Sequence, residues 1–340
     1  MLQAGARGMG KRRVGFQTSS HSKRGRDRQV MARGKTQLIG MASVATGVLI
    51  FSTQDAIMKF LSGDYAVTQA LVTRCVVALP ILLCFVHLKG GIRQIASRRL
   101  PALSLRGLIQ LVAYTAYYTS LPALPLATAV ALYFTAPLFI TLLAAVFLGE
   151  QVGWRAITAL GIGFAAVVII TAPGFGRFEP AILLPLASAC AYGISQVYAR
   201  KLGVSEPASV MAFYQNAVFL LGASLIASLF HGLGLTSAMH PSLDFLVRPW
   251  VVPNLTDFLL MAACGVIAAF GSTLLTHAYR TAEANLVTVF EFTGLIWAPL
   301  WGILFFAEVP GPRAIVGVTL IILAGLLVAF KAPAATAAIR

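Results

Sequence analysis

The sequence predicts an all-α membrane protein with ten transmembrane helices arranged as two inverted five-helix repeats. Three observations carry this. First, 58% of the 340 residues are hydrophobic and only 11% charged, with a mean hydropathy of +0.83. That leaves too little polar surface to cover a water-soluble globule, so lipid is the expected solvent. Second, ten apolar runs approach the roughly 20 residues that a spanning helix needs. Third, residues 134–169, FTAPLFITLLAAVFLGEQVGWRAITALGIGFAAVVI, match residues 292–327, FTGLIWAPLWGILFFAEVPGPRAIVGVTLIILAGLL, without a gap at a constant offset of 158. Each copy is an apolar run closed by an acid (Glu150, Glu308), a Gly turn (Gly153, Gly311), an Arg (Arg155, Arg313) and a second apolar run. Duplicated hydrophobic hairpins of this kind mark secondary transporters, whose halves rock about a shared site.

In chain order, residues 1–37 come first, with ten basic residues against a single acid, Asp27. No aromatic interleaving accompanies the charge, so a disordered topogenic tail is expected and no nucleic-acid partner. The first repeat, 38–172, holds predicted spans Leu38–Phe60, Val67–Leu88, Leu103–Leu121, Ala127–Leu148 and Trp154–Ala172. The second, 181–331, holds Ala181–Ala199, Ser209–Phe230, Phe258–His277, Asn285–Phe306 and Arg313–Phe330. Connections of a few residues force sequential antiparallel helices. The one long excursion, 231–257, reads as an interfacial flap with Trp250 at headgroup depth, or as structural filler. Pro137 and Pro299 fall inside the fourth and ninth spans and are expected to bend them near the bilayer centre. All four cysteines lie in apolar runs, so neither a disulfide framework nor a metal site is expected.

Orientation follows from the cations. With the N-terminus cytoplasmic, the inside segments take the basic tail plus Lys89, Arg93, Arg98, Arg99, Arg106, Arg155, Arg200, Lys201, Arg280, Lys331 and Arg340. The outside segments take only Arg177, Arg248 and Arg313. The positive-inside rule then places both termini in the cytoplasm. Five spans per half turn the second copy over, which puts Glu150 at the cytoplasmic side and Glu308 at the outer side.

These residues carry a resemblance. The FSTQDAIMKFL segment, the hairpin FTAPLFITLLAAVFLGEQVGWR with its copy ending FFAEVPGPR, the PGFG turn at 173–176 and the stretch AYRTAEANLVTVFEFTGLIW resemble the drug/metabolite transporter superfamily, with a pair of EamA-type repeats over 38–331. The resemblance implies a bacterial inner-membrane transporter without a cofactor. It is nearest the S-adenosylmethionine and riboflavin uptake type, with an exporter of amino acids or metabolites as the alternative.

Ionisable residues inside the membrane point most sharply to function, because each is costly unless paired or facing an aqueous cavity. Asp55 and Lys59 stand four apart on one face of the first span, and Arg74 reaches a similar depth on the second. An Asp55 pair with Lys59, Arg74 or both is expected, either as a structural lock or as a substrate contact. Glu291 lies in the ninth span where the first repeat has Tyr133. It is expected to line a cavity and carry a proton or meet a cationic group, or else to pair with Arg280. Tyr114 and Tyr118, Tyr192 and Gln196, and Trp297 complete the pocket candidates, able to stack on a flat ring and bond its edge. Glu150 and Glu308 are expected to fix their own hairpins by pairing with Arg155 and Arg313 or by capping the next helix. A transporter of a small molecule, coupled to a proton or sodium ion or uncoupled, monomeric or homodimeric, accounts for these features together. A membrane-embedded enzyme would need a catalytic constellation, and neither HExxH nor GxSxG occurs; a channel would need a filter loop or charged ring.

Overall fold

A computed structural model describes residues 18–97, 99–149, 153–171, 179–201, 207–281 and 290–329. Regular structure among the described residues is helical: α1 (Thr18–Leu61), α2 (Val67–Gly90), α3 (Leu100–Ser120), α4 (Leu126–Tyr133), α5 (Ala136–Leu148), α6 (Trp154–Thr171), α7 (Leu183–Lys201), α8 (Ala208–Gly232), α9 (Pro241–Val247), α10 (Leu255–Thr281), α11 (Gly294–Phe306) and α12 (Pro312–Ala329), with short 3₁₀ turns at Ile92–Ile95 and Pro180–Ile182. Six described stretches are long and apolar enough to cross a membrane, 39–61, 67–90, 126–147, 180–198, 209–232 and 255–275, and 157–171, 294–306 and 312–327 are shorter apolar helices. In α3, a run of polar side chains dilutes the apolar character. The tail expected to be disordered over 1–37 is helical from Thr18 onward, continuous with the first span. Its Arg, Lys, Gln, Met and Ala residues are good helix formers, and extending an existing helix avoids the cost of nucleation.

Most of the extensive helix packing crosses between the two halves of the chain. α1 runs along α10 and α3 along α7, α2 packs on α8, and α6 on α12. Matched glycines permit two of the close approaches. A Cβ on Gly107 would stand 2.9 Å from Val218 of α8, and one on Gly265 would stand 2.5 Å from the Arg74 carbonyl oxygen of α2. Outward faces carry exposed Leu221, Leu225, Phe164, Ile157, Leu304 and Phe305, as lipid contact requires.

The fourth span breaks between α4 and α5, and the repeat-equivalent stretch before α11 breaks in the same register. Thr135 Oγ1 donates to the Leu132 carbonyl at 2.6 Å, and Thr293 Oγ1 donates to the Phe290 carbonyl at 2.7 Å. Each hydroxyl satisfies a carbonyl freed by the break, which lipid could not solvate. The rings of Phe134 and Phe292, one in each break, lie 5.6 Å apart. The first bend therefore comes two to three residues before Pro137, and the second six to seven residues, about two turns, before Pro299. Pro137 sits in the first turn of α5, where no amide donor is missed, and Pro299 lies within α11.

The 231–257 excursion is anchored on the helix bundle at several points. Phe245 of α9 is fully buried, and Trp250 Nε1 donates to Thr68 Oγ1 at 2.9 Å. Arg248 joins Asp244 at 2.5 Å and donates to the Gly63 carbonyl at 2.5 Å, latching α9 onto the α1–α2 turn. Hydrogen bonds from Arg248, then from the Ala238 amide, hold the Asp244 carboxyl below the ordinary aspartate range. A depressed carboxyl stabilises the folded latch above the unfolded pKa near 3.9 and loses that contribution as pH falls through the lower folded value. Amide exchange at 238–248 should stay protected from pH 8 to about pH 5 in the native protein. Asp244→Asn should show faster exchange across that whole range, and equal protection in the variant would remove the latch.

The two hairpins also end alike. Gly149 (φ 67°) and its counterpart Ala307 (φ 53°) are both left-handed, with amides bonded to Ala144 O and Gly302 O. Ala307 is the non-glycine residue held at positive φ among the described residues. Ala307→Gly should stabilise the protein by on the order of 1 kcal/mol, seen as a higher melting temperature in detergent, and Gly149→Ala should lower it similarly.

Candidate functional site

α3 places a polar side chain on one face at each turn: Arg106, Gln110, Tyr114 and Tyr118, with Tyr117 beside them. α1 brings Gln54 and Asp55 to this stripe, α2 brings Arg74, the end of α4 brings Tyr133, and α7 brings Tyr192 and Gln196. Tyr117 Oη donates to Asp55 Oδ2 at 3.0 Å, and Gln54 Nε2 donates to the Tyr118 hydroxyl. A chain of rings joins the helices. Centroid separations are 5.9 Å for Tyr114–Tyr118, 5.4 Å for Tyr118–Tyr117, 5.0 Å for Tyr117–Tyr133 and 5.9 Å for Tyr133–Tyr192. Gln196 bonds the Tyr192 side chain, and Glu291 lies within electrostatic reach of it. Tyr117, Tyr118 and Arg74 are buried, whereas Asp55, Tyr114, Tyr133, Tyr192, Gln196 and Glu291 keep accessible surface within this interior cluster.

Arg74 is the least satisfied member. Its Cζ lies 5.7 Å from the Tyr114 ring centroid and 5.8 Å from that of Phe219, and it is 2% exposed. Its Nε and Nη1, and Nε of Arg106, have no hydrogen-bond partner among the described residues.

Lys59 departs from expectation. Its ammonium lies 2.7 Å from Glu308 Oε1 and donates to the Leu121 and Leu124 carbonyls at 2.9 and 2.6 Å. Glu308 Oε2 accepts from the Leu126 amide at 2.8 Å, at the first residue of α4. Of the partners expected for Asp55, Lys59 is thus engaged with Glu308 instead, and Glu308 reaches beyond its own hairpin to Lys59 and the Leu126 amide. The long lysine stem carries the charge past Asp55 to a cluster of unpaired backbone groups at the α3–α4 turn, which offers more partners than a carboxylate four residues away. Lys59 is thus a clamp between α1, the α3–α4 turn and the α11–α12 turn.

The other expectations divide. Trp297 stacks on Trp301, which stacks on Phe305, along α11. Arg155 lies with its Cζ 5.8 Å from the Trp154 ring centroid, and Arg313 is exposed. Glu150 and the Arg280 side chain lie outside the described residues. Sequence reasoning missed Arg106, Gln110 and Gln54 as members of the cluster. The four-residue spacing of Arg106, Gln110, Tyr114 and Tyr118 was the signal that could have found two of them.

Comparison with known proteins adds five findings. Residues 38–172 match the EamA-like transporter family. The pseudopaline exporter of Pseudomonas aeruginosa is 26% identical over 277 residues, spanning 81% of this chain and 90% of that protein. The S-adenosylmethionine uptake transporter of Rickettsia felis is 23% identical over 297 residues, 87% and 94% of the two chains, and the riboflavin transporter of Rhizobium johnstonii is 32% identical over 214 residues, 63% and 65%. A solved crystal structure shares the fold at a TM-score of 0.60 and 19% identity, covering 86% of this chain and 96% of that one.

Breaking the clamp tests its structural role. Lys59→Met should cost on the order of 3 kcal/mol, because Glu308 is left without its cation. The exchange Lys59→Glu with Glu308→Lys should fail to restore the melting temperature, since the Leu121 and Leu124 carbonyls would face a carboxylate. Full rescue by the exchange would mean that charge attraction alone sets the contact.

Proposed function

We propose that this chain, a multi-pass membrane transporter carrying an EamA-like domain over residues 38–172, is a secondary transporter of a small organic metabolite in a bacterial inner membrane. Ten spans form two inverted halves, 38–172 and 181–331, and the substrate binds among Asp55, Arg74, Tyr114, Tyr133, Tyr192, Gln196 and Glu291. The observation that carries this reading is the matched pair of breaks, with Phe134 against Phe292 at 5.6 Å. Broken helices meeting inside a bundle are the joints about which transporter halves rock. Packing of helices across the halves fits the same motion.

Uptake of a metabolite of the kind named for the Rickettsia felis protein is the favoured reading. Export is the second reading, favoured by the pseudopaline exporter, which matches over 90% of its own length. In either case the Lys59–Glu308 clamp lies at the outer end. It closes that side here and opens in the outward-facing state. Both termini are cytoplasmic, and a proton or sodium ion supplies the driving force.

Proteoliposomes containing this protein should accumulate labelled solute when an ion gradient is imposed. Asp55→Asn should cut flux at least tenfold without lowering the yield of folded protein. Glu291→Gln should leave counterflow exchange intact and abolish gradient-driven accumulation. Accumulation by Glu291→Gln with an unchanged pH response would assign the coupling elsewhere. For orientation, Met239 is fully exposed, so Met239→Cys in a cysteine-free background should react with an impermeant thiol reagent in intact cells; labelling only after lysis overturns the topology.

A further inference from the structure

We propose that Arg74 and Asp55 are opposite poles of a site for an amino-acid head group, so that the transported metabolite carries a carboxylate together with an ammonium or sulfonium cation. The proposal rests on the transporter reading above and narrows its substrate. Arg74 cannot shed its proton, and a guanidinium offers five N–H donors in a planar fork suited to a carboxylate. Here that fork is 2% exposed, with Nε and Nη1 unpartnered among the described residues. Leaving charged donors unpaired away from water is expensive, so the arrangement calls for an anionic partner that comes and goes.

Asp55 is the nearest candidate for a resident partner, and it is engaged elsewhere. No described acid lies within 4.0 Å of the Arg74 side-chain nitrogens; Asp55 accepts instead from Tyr117, yet remains within electrostatic reach of Arg74. The result is a cation against Tyr114 and an anion bonded to Tyr117, within electrostatic reach of each other and not paired. A zwitterion complements these two charges: its carboxylate pairs with the Arg74 fork, and its cation meets Asp55 and the tyrosine faces. Asp55, Tyr114 and Tyr133 each keep part of their surface accessible. A flavin offers carbonyl acceptors to Arg74 but no negative charge to neutralise it and no cation for Asp55, so the pair of charges favours the amino-acid-headed class. Arg106, eight residues along α3 from Tyr114, presents a second unpartnered Nε on the same stripe and would receive the carboxylate as it passes.

The test is binding and flux with three probes on the full-length protein in lipid: S-adenosylmethionine, its decarboxylated analogue and riboflavin. Native protein should bind the carboxylate-bearing probe at least ~30-fold more tightly than the decarboxylated one, as loss of a charged hydrogen-bonded pair commonly costs 2–5 kcal/mol. Arg74→Gln should erase that preference while leaving the affinity for the decarboxylated analogue within about threefold, a pattern that a merely structural arginine would not produce. Arg74→Lys, which keeps the charge and helps the fold survive, should retain part of the preference. Equal binding of both adenosyl probes by native protein overturns the proposal, as does uniform weakening in Arg74→Gln. Flux of riboflavin without flux of either adenosyl probe overturns it while the transporter reading stands, and flux of none of the three probes under any gradient or in counterflow defeats both.

Discussion

Lipid offers no hydrogen bonds, so a polar group within this bundle is costly unless the protein or a ligand partners it. That constraint accounts for the geometry at each place where the chain departs from a straight helix. Thr135 and Thr293 turn their hydroxyls onto carbonyls freed at the two breaks. Lys59 gathers two carbonyls and a carboxylate at the end of α3, and the same carboxylate caps the amide of Leu126. The α9 excursion hangs on Gly63 and Thr68 for the same reason, since the α1–α2 turn exposes groups that helix ladders leave over.

The hairpin duplication was legible because an ungapped offset carries shape as well as chemistry. It placed Gly149 opposite Ala307 and Thr135 opposite Thr293, and these pairs adopt matching backbone conformations. Prolines pointed to bends but missed their position, by less than a turn at Pro137 and by about two turns at Pro299; the breaks fall instead at Thr135 and Thr293, whose hydroxyls bond back to the Leu132 and Phe290 carbonyls. The Lys59–Glu308 contact was not legible. Four-residue spacing on α1 argued for Asp55, and nothing local announces a partner near the other end of the chain or carbonyls at a turn. Arg106 was counted with cytoplasmic cations by its place near a span end, although its spacing from Gln110 and Tyr114 put it on the polar stripe.

A shared scaffold with unequal contents distinguishes the two halves. At matched positions Tyr133 faces the ring chain in one half and Glu291 brings a carboxylate in the other. A symmetric pair of acids would repel across the centre, and a symmetric pair of tyrosines would hold no charge for coupling. The matched breaks are common to both halves whereas the side chains at them differ, so function is argued from the site and not from the fold.

The state of Arg74 ties these threads together. Stacking against Tyr114 and Phe219 offsets part of its desolvation, at about 1–2 kcal/mol per favourable cation–π contact. The same rings occupy the faces of the guanidinium and leave its edge, where the N–H groups point, without acceptors. A purely structural arginine would turn that edge to a carbonyl, as Lys59 and Arg248 turn their charges. Asp55, the natural acceptor, is drawn off by Tyr117. Each of the two charges therefore keeps bonding capacity that the other does not use, which is the basis on which a ligand carrying both complementary charges is proposed.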